Sequence, residues 1–536
     1  MANTYRTAPD HTLTKMPPGV PFIIGNELAE RFSFYGMKGI LTVFMTKHLL
    51  DSAGQPDFMS DEKAKGVYHL FTAAAYFFPL LGAIIADVFW GKYKTILLIS
   101  LMYCLGHGCL ALMDAGPETG LWDMKPLLFA GLILIAIGAG GIKPCVSANV
   151  GDQFGTGNKR LLTQVFNWFY FSINLGAAAS NMLTPVLLAK VGPWAAFGLP
   201  GVLMGIATIV FWMGRNRFVH VPPSGWSRFK EETFSPGGLR ALKNLSPLFL
   251  IFVPVFWAIF DQTGSAWVLQ AESMDRQFLG VTWLESQVQV VNPLLILVMI
   301  PVFTYVVYPA MGKFFAPTPL RKIGIGFVLT AGAFAISALI ELAITSKTGG
   351  VAPGLWAALG QTGPVPDKLS EIVRLAESID PKNAASMTDS VKAIAQAAAT
   401  AGWRPEHLVQ HLDPMPNIGW QFVAYFVLTA AEILVSIVCL EFAYTQSPPR
   451  MKSFVMGVYL LGVSAGNFVV SGVNFTLDAM KDEAGKTPLE GANYYWFFAG
   501  LMGITTVAYL VYSQFYRGQT YIQGEAIPAA GGGAEA

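Results

Sequence analysis

Charge is what this sequence has least of. Asp, Glu, Lys and Arg together make up 13% of its 536 residues, about half the share that soluble domains carry. With 53% apolar residues and a mean hydropathy of +0.48, a soluble fold would be left with large greasy patches. A disordered chain and an ordinary soluble enzyme are excluded on that ground. Cysteine is also scarce. Cys104, Cys109, Cys145 and Cys439 all lie in apolar stretches without a C-x-x-C pair, which argues against a disulfide scaffold or a thiolate metal site and for small buried hydrophobes. Excess charge of one sign is missing as well, since 35 Lys+Arg face 34 Asp+Glu, so no basic field exists to attract nucleic acid. Residues 1–16 contain no apolar core of a cleavable leader, and the first hydrophobic segment is expected to direct insertion itself. What remains is a polytopic membrane protein.

A bilayer core of about 30 Å requires roughly 20 apolar residues per helix. Apolar runs between charged or Pro/Gly breaks give twelve such spans: 18–49, 64–89, 94–114, 126–149, 161–190, 194–215, 246–270, 287–311, 320–346, 418–445, 451–477 and 493–516. Lys and Arg fall on alternate loops: Lys92 and Lys94, Lys159 and Arg160, the cluster from Arg215 to Lys243, Lys313 to Lys322, then Arg450 and Lys452. This bias places both termini in the cytoplasm. The expected organisation is an all-α membrane protein of two six-helix halves, 1–216 and 246–517, joined by a basic linker at 217–245. Residues 347–416 form an outer insertion too long for a structureless loop, with helical spacing at Leu369, Ile372, Val373, Ala376 and Ile379 and again at Val391, Ile394 and Ala398. It reads as a small helical cap, or as a lid over the outer entrance. The Ala/Gly-rich tail at 518–536 reads as disordered.

Charges inside the spans carry the functional argument, because an ionised group at the bilayer centre costs at least about 2.5–3.5 kcal/mol. The first span nevertheless holds Glu27, Glu30, Arg31 and Lys38, which with Tyr35 fall within an arc of roughly 140° at 100° per residue. A self-neutralising structural cluster accounts for one glutamate but not for four charges on one face, so the stripe is expected to face a wet interior. Other spans repeat the theme: His69 and Tyr76; Lys143; Asn167, Tyr170 and Asn174; Trp257, Asp261 and Ser265; Gln289 and Asn292; Tyr425, Thr429, Glu432 and Ser436. Together they read as the lining of a substrate path near the midplane. His107, among glycines and without a matched partner, reads as structural.

Several segments are recognisable. ELAERFSFYGMKGIL (27–41) resembles the E-x-x-E-R-F-x-Y-Y-G signature of proton-coupled oligopeptide transporters, a branch of the major facilitator superfamily. GAIIADVFWGKYKT (82–95) resembles the superfamily's inner-loop signature. GIKPCVSANVGDQF (141–154), NWFYFSINLGA (167–177), FWAIFDQTGSAWVLQ (256–270) and YFVLTAAEILVSIVCLEFAYTQSP (425–448) resemble further family blocks, the last two, with YHLFTAAAYFFP (68–79), being closest to animal di- and tripeptide transporters. Phe34, Lys38, Cys145 and Tyr459 depart from the pattern: tyrosine, arginine, asparagine and tryptophan are usual at these places.

The resemblance implies a major-facilitator fold and import of di- and tripeptides with protons. It also implies a monomer in the lipid bilayer of a plasma membrane, a bacterial inner membrane being the expected one. A peptide presents opposite charges at its two ends. Arg31, Lys38 and Lys143 are the candidates for its carboxylate. Glu432, helped by Asn174 and Asn292, is the candidate for its amine, and Tyr35, Tyr76, Tyr170, Trp257, Tyr425 and Ser436 would complete the walls. Glu27 and Glu30, beside Arg31 and within reach of Lys143, are the expected proton-coupling groups, with a Lys143 ion pair that forms and breaks. His69 is a second coupling candidate, and Asp261 is expected to pair with a cation when the outer side is closed. Asp87, Lys92 and Lys94 read as an inner gate, or as loop neutralisation. A nitrate or other small-anion carrier of the same family and a peptide-sensing transceptor are the alternatives. An enzyme is not expected, for want of a nucleophile–base pair, H-E-x-x-H or phosphate loop, and neither a metal nor a cofactor is called for.

Overall fold

The computed structural model describes residues 5–358, 415–446, 452–482 and 486–516. Twelve long helices order it: α1 Val20–Lys47, then α2 Asp61–Trp90, α3 Lys92–Ala111, α4 Met124–Asp152, α5 Lys159–Lys190, α6 Pro193–Asn216, α7 Gly238–Glu272, α8 Glu285–Gly312, α9 Pro319–Thr345, α10 Gly419–Ala443, α11 Phe454–Ala479 and α12 Ala492–Phe515. Among the described residues, eleven of these are long and apolar enough to cross a membrane. The remaining one, α1, has 28 residues, and its five charged residues, Glu27, Glu30, Arg31, Lys38 and Lys47, are what set it apart. A hairpin of β1 (Gln277–Phe278) and β2 (Val281–Thr282) precedes α8.

The sequence spans match these helices closely, with two corrections. The 217–245 linker is itself largely helical, at Trp226–Thr233 and Pro236–Pro247, because Ser235 caps the second helix and Pro236 starts it. The helix of α9 continues beyond 346 to Ala358. The further helices expected within 347–416, and the 518–536 tail, lie outside the described residues.

Two apolar cores correspond to two halves. One gathers buried side chains between Val20 and Phe218, the other those between Leu245 and Tyr509. Val268 breaks this division: it belongs to α7 but packs in the first core.

α7 is not a continuous helix. It tightens to a 3-10 turn at Asp261–Gly264 and restarts at Ala266. The carbonyls released by the break are taken up from outside the helix. Thr42 Oγ1 donates to Gly264 O at 2.8 Å and Tyr425 OH to Thr263 O at 3.2 Å, which meets the demand that backbone groups at membrane depth be satisfied within the protein. Gly264 is required there, since a Cβ would lie 1.8 Å from the Tyr68 hydroxyl. In α10, a π-turn at Ile433–Ile437 follows Glu432 directly, an irregularity that often marks functional positions.

Bonds between the halves gather at the end where α1 finishes. Lys47 reaches Glu272 at 3.1 Å and Glu285 at 3.5 Å. Gln289 Nε2 donates to Gly39 O at 2.8 Å, Ser60 Oγ to Asp478 at 2.6 Å and Ser471 Oγ to Gly66 O at 2.8 Å, and Lys481 pairs with Glu62 at 2.8 Å. At the opposite end, Lys92 pairs with Asp152 inside the first half at 2.7 Å, and Ser224 of the connecting segment donates to Asp87 O at 3.0 Å.

Candidate functional site

The charged stripe of α1 divides into two centres. In the first, Arg31 Nε meets Glu27 Oε1 at 2.6 Å and Glu30 Oε2 at 3.1 Å, with all three side chains at most 10% exposed. Helical spacing explains the arrangement, since Glu27 lies one turn before Arg31. Two acids thus share one cation, and together they carry one formal negative charge that a single proton would neutralise. The Tyr103 hydroxyl from α3 also faces Glu30.

In the second centre, Lys38 Nζ lies 2.9 Å from Asp261 Oδ1, a buried pair joining the two halves. Asp261 Oδ2 accepts from Asn467 Nδ2 at 2.7 Å, and Asn467 Oδ1 lies 2.7 Å from His69 Nδ1. His69 Nε2 lies 2.8 Å from Ser265 Oγ. Asn467 Nδ2 also donates to Val463 O at 3.0 Å. A flipped amide would set its oxygen against both acceptors, so the orientation is fixed. An amide oxygen cannot donate, so His69 carries a hydrogen on Nδ1. Asp261, placed in the helix break of α7, is thereby linked to α1, α2 and α11 at once.

Lys143 differs from the other two cations. Its ammonium stands over the Phe34 ring at 3.9 Å and the Tyr76 ring at 4.3 Å and has no hydrogen-bond acceptor among the described residues. The expected pair with Glu27 or Glu30 is therefore not formed in this conformation: Arg31 occupies both acids. On the facing half, Glu432 Oε2 accepts from Asn292 Nδ2 at 2.7 Å, and Asn292 also reaches Thr429 Oγ1 at 3.1 Å. No cation pairs with Glu432 among the described residues. Tyr35 lies between these regions, within electrostatic reach of Arg31, Lys38 and Glu432, and Tyr170 is within reach of both Glu432 and Tyr35.

Other positions need adjustment. Tyr425 is 1% exposed, and its hydroxyl is committed to Thr263, with its ring edge-on to Trp267 at 4.7 Å; it braces the α7 break and does not line an open wall. Trp257 is buried against Phe256 and Phe260, and Ser436 Oγ faces Tyr459 OH at 3.3 Å. Asn174 donates its Nδ2 to Tyr170 O one turn back at 3.0 Å. At the inner end, the partner of Lys92 is Asp152 and not Asp87, while Lys94 is exposed. Asp87 is the nearer acid along the sequence, but the close approach of α4 to α3 gives Lys92 the Asp152 carboxylate. His107 is buried and stacks on Tyr103 with ring centroids 5.2 Å apart.

Sequence reasoning missed Asn467. A signal was present: Ser464, Asn467, Ser471 and Asn474 form a polar stripe on an otherwise apolar α11, all four at most 9% exposed.

The POT family pattern matches residues 93–235, 230–356 and 387–497. "Peptide transporter 3" of Caenorhabditis elegans is 39% identical over 372 residues, covering 62% of this chain and 52% of that protein. "Solute carrier family 15 member 1" of Homo sapiens is 27% identical over 695 aligned positions, covering 97% of this chain and 95% of that protein. The chain spans about half the length of the relatives it matches at 36–39% identity. Among solved structures, that of an auto-inhibited POT family peptide transporter superposes with a TM-score of 0.70 at 30% identity, over 95% of this chain and 99% of that one.

Proposed function

From the premise that this chain belongs to the POT family, we propose that it is a proton-coupled symporter importing di- and tripeptides by alternating access. One observation carries the reading. Of the three cations offered for a carboxylate, Arg31 is held by Glu27 and Glu30 and Lys38 by Asp261, which among the described residues leaves Lys143 without an anion and Glu432, across the interface, without a cation. An unpaired charge in each half suits a guest that brings both complements, which is what a peptide zwitterion does. A nitrate carrier would give Glu432 and Asn292 no cation to serve.

In this reading Lys143 receives the carboxylate and Glu432 with Asn292 the amine, with Tyr35, Tyr76 and Tyr170 as amphipathic walls. The Glu27–Glu30–Arg31 centre takes the proton: protonating one acid frees part of Arg31, and the change is felt at Lys143 nearby. Lys38, Asp261, Asn467 and His69 close the end bearing the cross-half bonds, so the described conformation is closed outside and releases inward. Lys/Arg bias supports cytoplasmic termini and a plasma-membrane setting, and the protein works as a monomer.

Uptake by reconstituted protein under a proton gradient tests the polarity. N-acetylated dialanine should compete at least tenfold more weakly than dialanine, and Glu432→Gln should shrink that gap to about twofold, since the charged acceptor is what the acetyl group deprives of its partner. Equal competition by both forms in the wild type contradicts the assignment, and binding without flux would identify a transceptor.

A further inference from the structure

Phe34 has no polar atom, and it stands where the family signature it resembles carries a tyrosine. Its ring is fully buried and held by its neighbours, edge-on to Tyr35 at 5.5 Å and tilted against Phe71 at 6.0 Å. The Lys143 ammonium sits over its face at 3.9 Å, with the Tyr76 ring at 4.3 Å. A desolvated ammonium without a hydrogen-bond acceptor among the described residues must find compensation elsewhere, and ring faces provide it through their quadrupoles.

The alternative resting place for this ammonium is Glu30, whose charge it feels. Collapse onto that acid would neutralise the cation and remove it from service. A ring stabilises the ammonium without bringing a formal charge, so an arriving carboxylate still meets a full positive charge, already desolvated and in position. We propose that Phe34, with Tyr76, is a positioning residue that seats Lys143 for the substrate carboxylate and keeps it from Glu30. The proposal rests on the reading of Lys143 as the carboxylate's receiver. It assigns Phe34 a role through its ring face, not through the hydroxyl that its family position usually carries.

Proteoliposomes containing the full chain give the test, with KM measured for dialanine and for dialanine C-terminal amide. Lys143→Gln should abolish the preference for the acid; if the preference survives, the receiver assignment falls, whatever Phe34 does. Phe34→Leu keeps apolar volume but removes the ring, and should raise KM for the acid about five- to tenfold while leaving that for the amide unchanged. Phe34→Tyr keeps the ring face and should behave as wild type. Should the leucine variant not assemble, Phe34→Met replaces it with the same expectation. A ringless variant that shifts both substrates equally, or neither, overturns the proposal, as does a tyrosine variant that loses the acid preference.

Discussion

The two ends of the interface between the halves are built differently. At the outer end a buried charge pair, a histidine–asparagine link and several backbone-directed hydrogen bonds bridge the halves, and half-exposed ion pairs at the rim add Lys47 and Lys481. At the inner end, Lys92 satisfies its charge within its own half. The difference teaches where the energy of the conformational change resides. Separating the halves at the first end has to pull Lys38 from Asp261 in a medium of low dielectric, whereas separating them at the other leaves the Lys92–Asp152 pair intact. In the proposed cycle, this distribution of ion pairs favours the conformation in which the end bearing Lys38–Asp261 stays closed.

The comparison breaks most sharply at Asp261. Asp261→Asn leaves Lys38 buried without its anion, a loss of about 3–5 kcal/mol for a broken buried pair. Driven uptake should fall at least a hundredfold, and a cysteine introduced at Tyr76 should become open to labelling from outside. The double variant Lys38→Gln/Asp261→Asn removes both charges and should recover much of the outer closure. Labelling no faster in the single than in the double variant would show that the pair does not hold this end shut.

A smaller effect is expected at Asn467. Asn467→Ala deletes the donor to Asp261 and the acceptor that fixes the hydrogen on His69 Nδ1, with a cost of about 1–3 kcal/mol. Driven uptake should drop roughly tenfold and its pH profile should move, because His69 no longer has a fixed tautomer; exchange of peptide without a gradient should suffer less. An unchanged pH profile would count against the link. The smallest effect belongs to the rim. Lys481 is 24% exposed in its pairs with Glu62 and Asp478, and exposed pairs contribute roughly 0–1 kcal/mol, so Lys481→Ala should change uptake less than about twofold.

The fold was largely legible in the sequence, and the site only by halves. Span boundaries could be read because a bilayer demands long apolar runs, and the α1 stripe because angular position on a single helix follows from 3.6 residues per turn. Periodicity says which face a side chain occupies but not what a neighbouring helix places opposite it. Hence the spacing points Lys143 toward the interior and offers Glu27 or Glu30 as a pair that forms and breaks, but not the rings of Phe34 and Tyr76 that hold the ammonium in this conformation. Asp87, Lys92 and Lys94 read from the sequence as one gate, whereas packing sets Asp152 2.7 Å from Lys92. Tyr425 looked like a wall residue because the α7 break that claims its hydroxyl is a backbone event. That break did have a local cause in the sequence, the Asp-Gln-Thr-Gly run at 261–264, but only the bonds from Thr42 and Tyr425 explain why it is tolerated.

The restarted segment of α7, Ala266–Glu272, belongs by chain order to the second half, yet Val268 is lodged in the core of the first. Separating the halves at that end must withdraw an aliphatic side chain from its socket, and exposing apolar surface raises heat capacity. The balance between the two conformers is therefore a thermal property as well as an electrical one: cooling and warming shift it along a curve, and the transport cycle inherits that curvature.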